Sequence, residues 1–241
     1  MVEKQENTTG ISIFYFDKDN RPTAQQIGET TKLYADVFAG HPWYEVNTCA
    51  DCGKHFGSDS SIETPCSNCG GVLAPAYPEE QTRKQIEDFF DKPNATMYLA
   101  ESEGKIKGFA WGFLRETSEL VSTKFAGENS TQFSLAIREA IPQERMFYIN
   151  EVGVNKDLRG RGLGKLLVDN LLTIANQLDV PAALTTRIDT VLTPICLKTG
   201  FKQTFGQEVV IGQNGKVVVT GRTLVGLKDE PERTFFVRSN L

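Results

Sequence analysis

Four of the five cysteines stand in two short units, Cys49-Ala-Asp-Cys52-Gly53 and Cys66-Ser-Asn-Cys69-Gly70, with residues 53–65 between Cys52 and Cys66. Two residues between cysteines let both sulfurs reach one ion. A glycine after the second cysteine permits the tight turn whose amides point at sulfur. Four thiolates in tetrahedral geometry make a structural zinc site with no open position, so Cys49, Cys52, Cys66 and Cys69 are the expected ligands of a structural Zn2+. A disulfide framework is the alternative, and it belongs to oxidising compartments. His55 is a substitute ligand that four cysteines make unnecessary.

A second stretch, Asp157-Leu-Arg-Gly-Arg-Gly-Leu-Gly-Lys-Leu-Leu167, sets three glycines at alternate positions among two arginines and a lysine. A Walker A loop fails here, because Gly164-Lys165 is followed by Leu166 and Arg159 stands where the first glycine belongs. A dinucleotide fingerprint also fails, because Lys165 lies three residues beyond Gly162. The pattern Arg/Gln-x-x-Gly-x-Gly/Ala does fit, at Arg159, Gly162 and Gly164. Backbone amides from Gly160, Arg161, Gly162, Leu163, Gly164 and Lys165 can then turn toward one anion, aided by the free amides and dipole of the helix that follows. Such a nest suits a pyrophosphate. The bland alternative is a glycine turn joining a strand to a helix.

The elements that must position these groups can be read from periodicity and turn chemistry. Residues 11–16 read as a strand. Thr23 and Gln26 form a capping box for a helix whose apolar face runs through Ile27, Thr31, Tyr34, Val37 and Phe38 and stops at Gly40 and Pro42. Residues 46–76 hold the four cysteines and few large apolar side chains, as expected of an insertion. A helix follows over 78–90, then two strands, 96–101 and 106–114, around the turn 102–105. The polar stretch 115–145 predicts one short helix near 131–140. A strand over 146–154 leads into the glycine loop, and 163–178 has the best helical spacing in the chain. Then come a buried-type strand, 182–187, a short helix, 190–198, and strands over 201–227 with a turn at 213–216. Residues 1–10 are expected to be disordered and 228–241 to form a tail or arm. The order indicates an α/β (mixed α+β) fold around a twisted mixed sheet.

Across all 241 residues, hydrophobic side chains make up 39% and charged ones 24%, the balance of a soluble globular protein. The net charge of −5 argues against general nucleic-acid binding and favours cationic partners. Around the cysteines one lysine, Lys54, faces Asp51, Asp59 and Glu63, so a nucleic-acid role for the insertion is disfavoured too. No stretch is apolar enough to span a membrane, and residues 1–10 carry no secretory pattern. The expected location is the cytoplasm. Oligomeric state cannot be read from the sequence.

The stretch "YINEVGVNKDLRGRGLGKLLVDNLL", residues 148–172, resembles motif A of the GCN5-related N-acetyltransferase (GNAT) superfamily, and "DTVLTPICLKTGF", residues 189–201, is similar to the helix that follows it there. The resemblance covers about residues 11–227, apart from the cysteine insertion, which itself resembles a zinc ribbon. It implies a GNAT-like domain with acetyl-CoA as co-substrate and an amine acceptor, a small molecule or a protein. Arg159, Gly160, Arg161, Gly162, Leu163, Gly164 and Lys165 would cradle the pyrophosphate, and the strand edge at Val152 and Val154 would pair with the pantetheine arm. Glu151, beside Asn150, is the candidate base for the amine, and an amide near Val152 the oxyanion donor. Members often place a tyrosine four residues before the Gly-Phe that closes the second helix, as acid for the leaving thiolate. Here that position is Cys196, and the usual asparagine is Asp189. Cys196 is thus a candidate proton donor or a packing residue, with Tyr148 or solvent as substitutes. The insertion would lie beside the acceptor cleft with His41, Trp43 and Tyr44. There it would shape acceptor choice, dock a partner or serve as a stabilising flap. A coenzyme A-binding sensor or adaptor that contacts a partner through the ribbon is the alternative function.

Overall fold

The computed structural model describes residues 4–6, 10–124, 130–223 and 233–239. In chain order the elements are β1 (Lys4–Glu6), β2 (Ser12–Phe16), α1 (Ala24–Ala39), β3 (Asn47–Cys49), β4 (His55–Phe56), β5 (Leu73–Pro75), α2 (Glu79–Phe89), β6 (Thr96–Ser102) and β7 (Lys105–Glu116). They continue with α3 (Thr117–Lys124), α4 (Ser130–Ala140), β8 (Arg145–Val154), α5 (Leu163–Gln177), β9 (Ala182–Arg187) and α6 (Leu192–Lys198). The last strands are β10 (Lys202–Phe205), β11 (Gln207–Ile211), β12 (Val217–Thr223) and β13 (Arg233–Arg238). An eight-stranded sheet runs β1-β2-β6-β7-β8-β9-β13-β10. It is mixed, because β8 and β9 are parallel while β13 is antiparallel to both β9 and β10. No helix among the described residues is long and apolar enough to cross a membrane.

The chain divides into two compact units, and β6, β7 and β8 each contribute a segment to both. In the first unit, α1 begins with the expected capping box. The Gln26 amide donates to Thr23 Oγ1 at 3.2 Å, and the Thr23 amide donates to Gln26 Oε1 at 2.9 Å. Ile27, Thr31, Tyr34, Val37 and Phe38 are buried, the face that helical spacing requires, and α1 packs on α2. Residues 46–76 form a separate three-stranded sheet, order β4-β3-β5. β1, within the segment expected to be disordered, pairs antiparallel with β2 through Lys4–Phe14 and Glu6–Ser12.

In the second unit, α5 buries Leu163, Leu167, Val168, Leu171, Leu172 and Ala175 along one stripe. The polar stretch after β7 holds two helices where one was expected: α3 precedes α4 and packs against it, and Phe133 of α4 meets Phe205 of β10 at 4.9 Å. α3 is short and weakly amphipathic, which is why periodicity missed it. Residues 233–238 are the larger difference. Instead of a tail they form β13, inserted between β9 and β10, with Thr234, Phe235, Phe236 and Val237 all buried. A short strand buried on both faces shows no alternation, so its four inner residues resemble any apolar cluster in a charged terminus. Residues 228–232 and 240–241 of that tail, and 224–227 of the strands expected before it, lie outside the described residues.

Candidate functional site

Within the cysteine module, β3 pairs with β4 through Thr48–His55 and with β5 through Cys49–Leu73. Each knuckle closes the same way: the Gly53 amide donates to Cys49 O at 2.9 Å and the Gly70 amide to Cys66 O at 2.7 Å. Both turns hold their glycine at positive φ, +69° and +78°. The four sulfurs all lie within 4.8 Å of one another, and none is in a disulfide. Cys49 and Cys69 stand 3.5 Å apart and Cys52 and Cys66 3.7 Å. Sulfurs bound tetrahedrally to one zinc at about 2.3 Å are separated by about 3.8 Å, so the donor set fits that ion in number, type and spacing. Cys49 and Cys66 are buried with Leu73 against Phe56, and this is the module's own core. His55 is exposed and does not join the group.

Four sulfurs this close cannot all ionise without a cation. The Lys54 amide and Asn68 hold the Cys52 thiol down to about 6. At Cys69 the Gly71 amide pulls downward, but its neighbours Cys49 and Cys52 prevail and push it up to about 12. A dication held by these four sulfurs would supply the charge that lets the remaining protons leave.

The glycine loop is built by local backbone rules. Asn155 caps a 3-10 turn, Lys156–Leu158, by accepting the Asp157 amide at 3.0 Å. Arg159 Nε then donates back to Val154 O at 3.1 Å. Gly160 and Gly162 both stand in the left-handed region, φ +75° and +83°, where other L-residues are strained. Gly162 is the N-cap of α5 and has no side chain to cap it. The first helical bond is the Leu166 amide to Gly162 O, 3.0 Å, so the amides of Leu163, Gly164 and Lys165 precede the helix's own ladder. Around Gly160 and Gly162 a side chain would meet nothing within 4 Å. Arg159, Arg161 and Lys165 are exposed, and Lys165 pairs with Asp169 one turn on.

On β8, the ladder to β9 runs through Phe147–Ala182 and Tyr148–Ala183 and no further among the described residues. Tyr148 is 1% exposed; its hydroxyl donates to Thr185 Oγ1 at 3.1 Å, and its ring meets Phe113 at 6.4 Å and the Arg115 guanidinium at 5.6 Å. Asn150 Nδ2 donates to Glu151 Oε1 at 3.2 Å, and both residues are half-buried. Cys196, by contrast, is fully buried on α6, and burial pushes its thiol far above the ordinary range. Asp189 is gripped by Arg187 through two bonds of 3.0 Å.

Two residues that sequence reasoning passed over meet in the first unit. Tyr77 donates a hydrogen bond to the carboxylate of Glu45, beside an aromatic group made by Tyr34, Phe38 and Trp43. The one local signal was the run His41-Pro-Trp-Tyr-Glu45, in which the acid went unweighed.

Residues 71–192, just over half of the chain, match the family model described as "Acetyltransferase (GNAT) family". No curated protein matches the chain in sequence. Among solved structures, a mosquito arylalkylamine N-acetyltransferase like 5b is 12% identical over 94% of this chain and 99% of its own, with a TM-score of 0.50. PH1933 from Pyrococcus horikoshii is 14% identical over 96% and 99%, at 0.49. The polyamine N-acetyltransferase of Drosophila melanogaster is 14% identical over 95% and 99%, also at 0.49. At these identities the mosquito protein carries the fold alone.

Proposed function

The chain belongs to the GNAT acetyltransferase family, and on that premise we propose that it moves an acetyl group from acetyl-CoA to a primary amine by direct attack in a ternary complex. The observation that carries this reading is the N-terminus of α5, where Gly160 and Gly162 hold positive φ and the amides of Leu163, Gly164 and Lys165 precede the helical ladder. Amides that converge at a helix start, among three exposed cations, are suited to a pyrophosphate. In the proposal Arg159 to Lys165 take that group. The edge of β8 at Val152 and Val154 pairs with the pantetheine arm, as the short β8–β9 ladder allows.

Acetyl transfer forms a C–N bond, breaks the C–S bond and moves one proton from nitrogen toward sulfur. A primary amine with a pKa of about 10 needs a base at neutral pH. Glu151 is that base in the proposal, held by Asn150, and the Val152 amide polarises the thioester carbonyl. The burial of Cys196 supports packing as its role and leaves it off the proton path. Solvent is then the donor to the leaving thiolate, or Tyr148, which is equally buried, once its hydroxyl turns away from Thr185. Cys49, Cys52, Cys66 and Cys69 would hold a structural Zn2+, whose contribution is folding energy for a module with a four-residue core. Reduced thiols of this kind favour a cytoplasmic setting.

The test is a calorimetric titration of the zinc-loaded protein with acetyl-CoA beside Gly162→Glu, followed by thiol release with a panel of amines. Micromolar binding lost in the variant, with turnover, supports the reading. Absent binding by a folded wild-type chain refutes it. Binding without turnover on any amine favours a coenzyme A sensor, a reading kept in view by Cys196 standing where relatives carry tyrosine.

A further inference from the structure

Glu45 is a carboxylate only 8% exposed, with Tyr77 as its one hydrogen-bond partner and no cation in reach among the described residues. Its second oxygen is not sealed in. The fully enclosed side-chain atoms without a partner, among the described residues, are Arg115 Nε and Asn170 Nδ2. A buried carboxylate with one oxygen open and no countercharge is costly to the folded chain unless a cation comes to it.

Both partners are fixed from two sides. The Glu45 amide donates to Phe38 O at 2.9 Å, in the turn that ends α1. The next residues form the neck of the cysteine module, where the Val46 amide donates to Phe56 O at 2.9 Å and the Ala76 amide to Val46 O at 3.0 Å. Glu45 thus stands where the chain enters the module and Tyr77 where it leaves. Half-buried Tyr77, whose ring packs on Phe38 and Tyr34, sets an aromatic side chain beside the acid. A carboxylate beside an aromatic ring is suited to an ammonium group.

A line of rings joins this acid to the strand edge assigned above to the acetyl donor. Tyr77 meets Tyr34 edge-on at 5.0 Å, and Tyr34 stacks on Phe109 at 5.7 Å. The Phe109 ring fills the place a Cβ on Gly153, beside Val154, would take. Three rings, those of Tyr77, Tyr34 and Phe109, thus stand between Glu45 and Gly153 in this series of contacts, and the inference assigns one amine to each end.

We infer that the acceptor is a small aliphatic diamine or polyamine, whose second ammonium group is selected by Glu45 with Tyr77, and that the cysteine module serves to hold this pair in place. The inference deepens the acetyl-transfer reading and rests on it for the attacking amine.

The experiment titrates the zinc-loaded full chain, with coenzyme A present, with cadaverine, spermidine and pentylamine, and repeats this for Glu45→Gln and Tyr77→Phe. The wild type should bind cadaverine and spermidine about tenfold or more tighter than pentylamine. Glu45→Gln should erase that preference while binding of coenzyme A stays as in the wild type. Tyr77→Phe keeps the ring and should lose part of the preference, which provides a second readout if Glu45→Gln melts early. Equal binding of cadaverine and pentylamine, or a preference that survives in Glu45→Gln, overturns the inference. Thiol release then separates the two readings. Discrimination without turnover leaves the amine site and refutes acetyl transfer, whereas equal turnover of monoamine and diamine refutes the amine site and leaves acetyl transfer standing.

Discussion

The Arg115 guanidinium lies 5.6 Å from the centroid of the Tyr148 ring and 5.9 Å from that of Phe113, while its Nε has no hydrogen-bond partner. Arg115 is 7% exposed; its Nη2 reaches Thr123 at 2.5 Å and Glu119 at 3.4 Å. The charge is thus held by two ring faces, one hydroxyl and a distant carboxylate. That is an incomplete set of partners for a buried cation.

An apolar side chain of similar length should therefore do as well. Arg115→Met is expected to change unfolding free energy by no more than about 1 kcal/mol, in either direction. Arg115→Ala removes the stem as well and is expected to cost about 3 kcal/mol. Urea unfolding of the three proteins at one pH checks both values. Equal, large losses would mean that the charge itself is needed.

Tyr148→Phe keeps the ring against Arg115 and removes only the hydroxyl that donates to Thr185. If Tyr148 supplies the proton to the leaving thiolate, kcat should fall about a hundredfold, with KM for acetyl-CoA little changed. A stability loss of about 1 kcal/mol with unchanged kcat would assign the hydroxyl to packing.

The glycine loop separates strain from ligand chemistry. At Gly162 an added side chain meets nothing within 4 Å, so Gly162→Ala carries chiefly the left-handed backbone cost, about 1 kcal/mol. Gly162→Glu carries the same strain and adds a carboxylate at the start of α5, which the helix dipole tolerates. Binding of acetyl-CoA should weaken severalfold in the first and about a hundredfold or more in the second, as read by calorimetry. Similar losses in both would shift the cause from charge to backbone geometry.

Metal loading should release protons. The Cys69 thiol, pushed up to about 12, keeps its proton at neutral pH, whereas Cys52, held down to about 6, is mostly ionised. Affinity for zinc is therefore expected to rise with pH by about tenfold or more per unit around neutrality. Competition with a chromophoric chelator from acid to mildly basic pH measures that slope. Chelation should also open the module, seen as new proteolytic cleavage within residues 46–76.

Glu29 couples stability to acid. Its carboxyl is held below the ordinary range first by the Gln25 side chain, at 2.9 Å, and then by the Ile106 amide, also at 2.9 Å. A depressed folded value stabilises above the unfolded pKa, near 4.5, and that contribution is lost as pH falls through the folded value. Partial exposure keeps the term small. Glu29→Gln should cost about 1 kcal/mol at neutral pH and flatten the melting temperature's decline below about pH 5. A melting curve series over pH for both proteins decides it.

The sequence by itself determined what depends on near neighbours along the chain. The two knuckles, the positive-φ glycines before α5, the Thr23–Gln26 capping box and the apolar stripe of α5 all follow from spacings shorter than two helical turns, where backbone geometry leaves few choices. Tertiary structure decided what depends on which strand lies beside which. It inserted β13 between β9 and β10, buried Cys196 completely and set Arg115 against Tyr148. It also joined Glu45 to Tyr77 across a separation of 32 residues, through the neck of an inserted module. A carboxylate in a loop looks the same in sequence whether it faces water or is buried against a tyrosine hydroxyl. Its meaning comes from burial, and burial is set by contacts between residues remote in the chain.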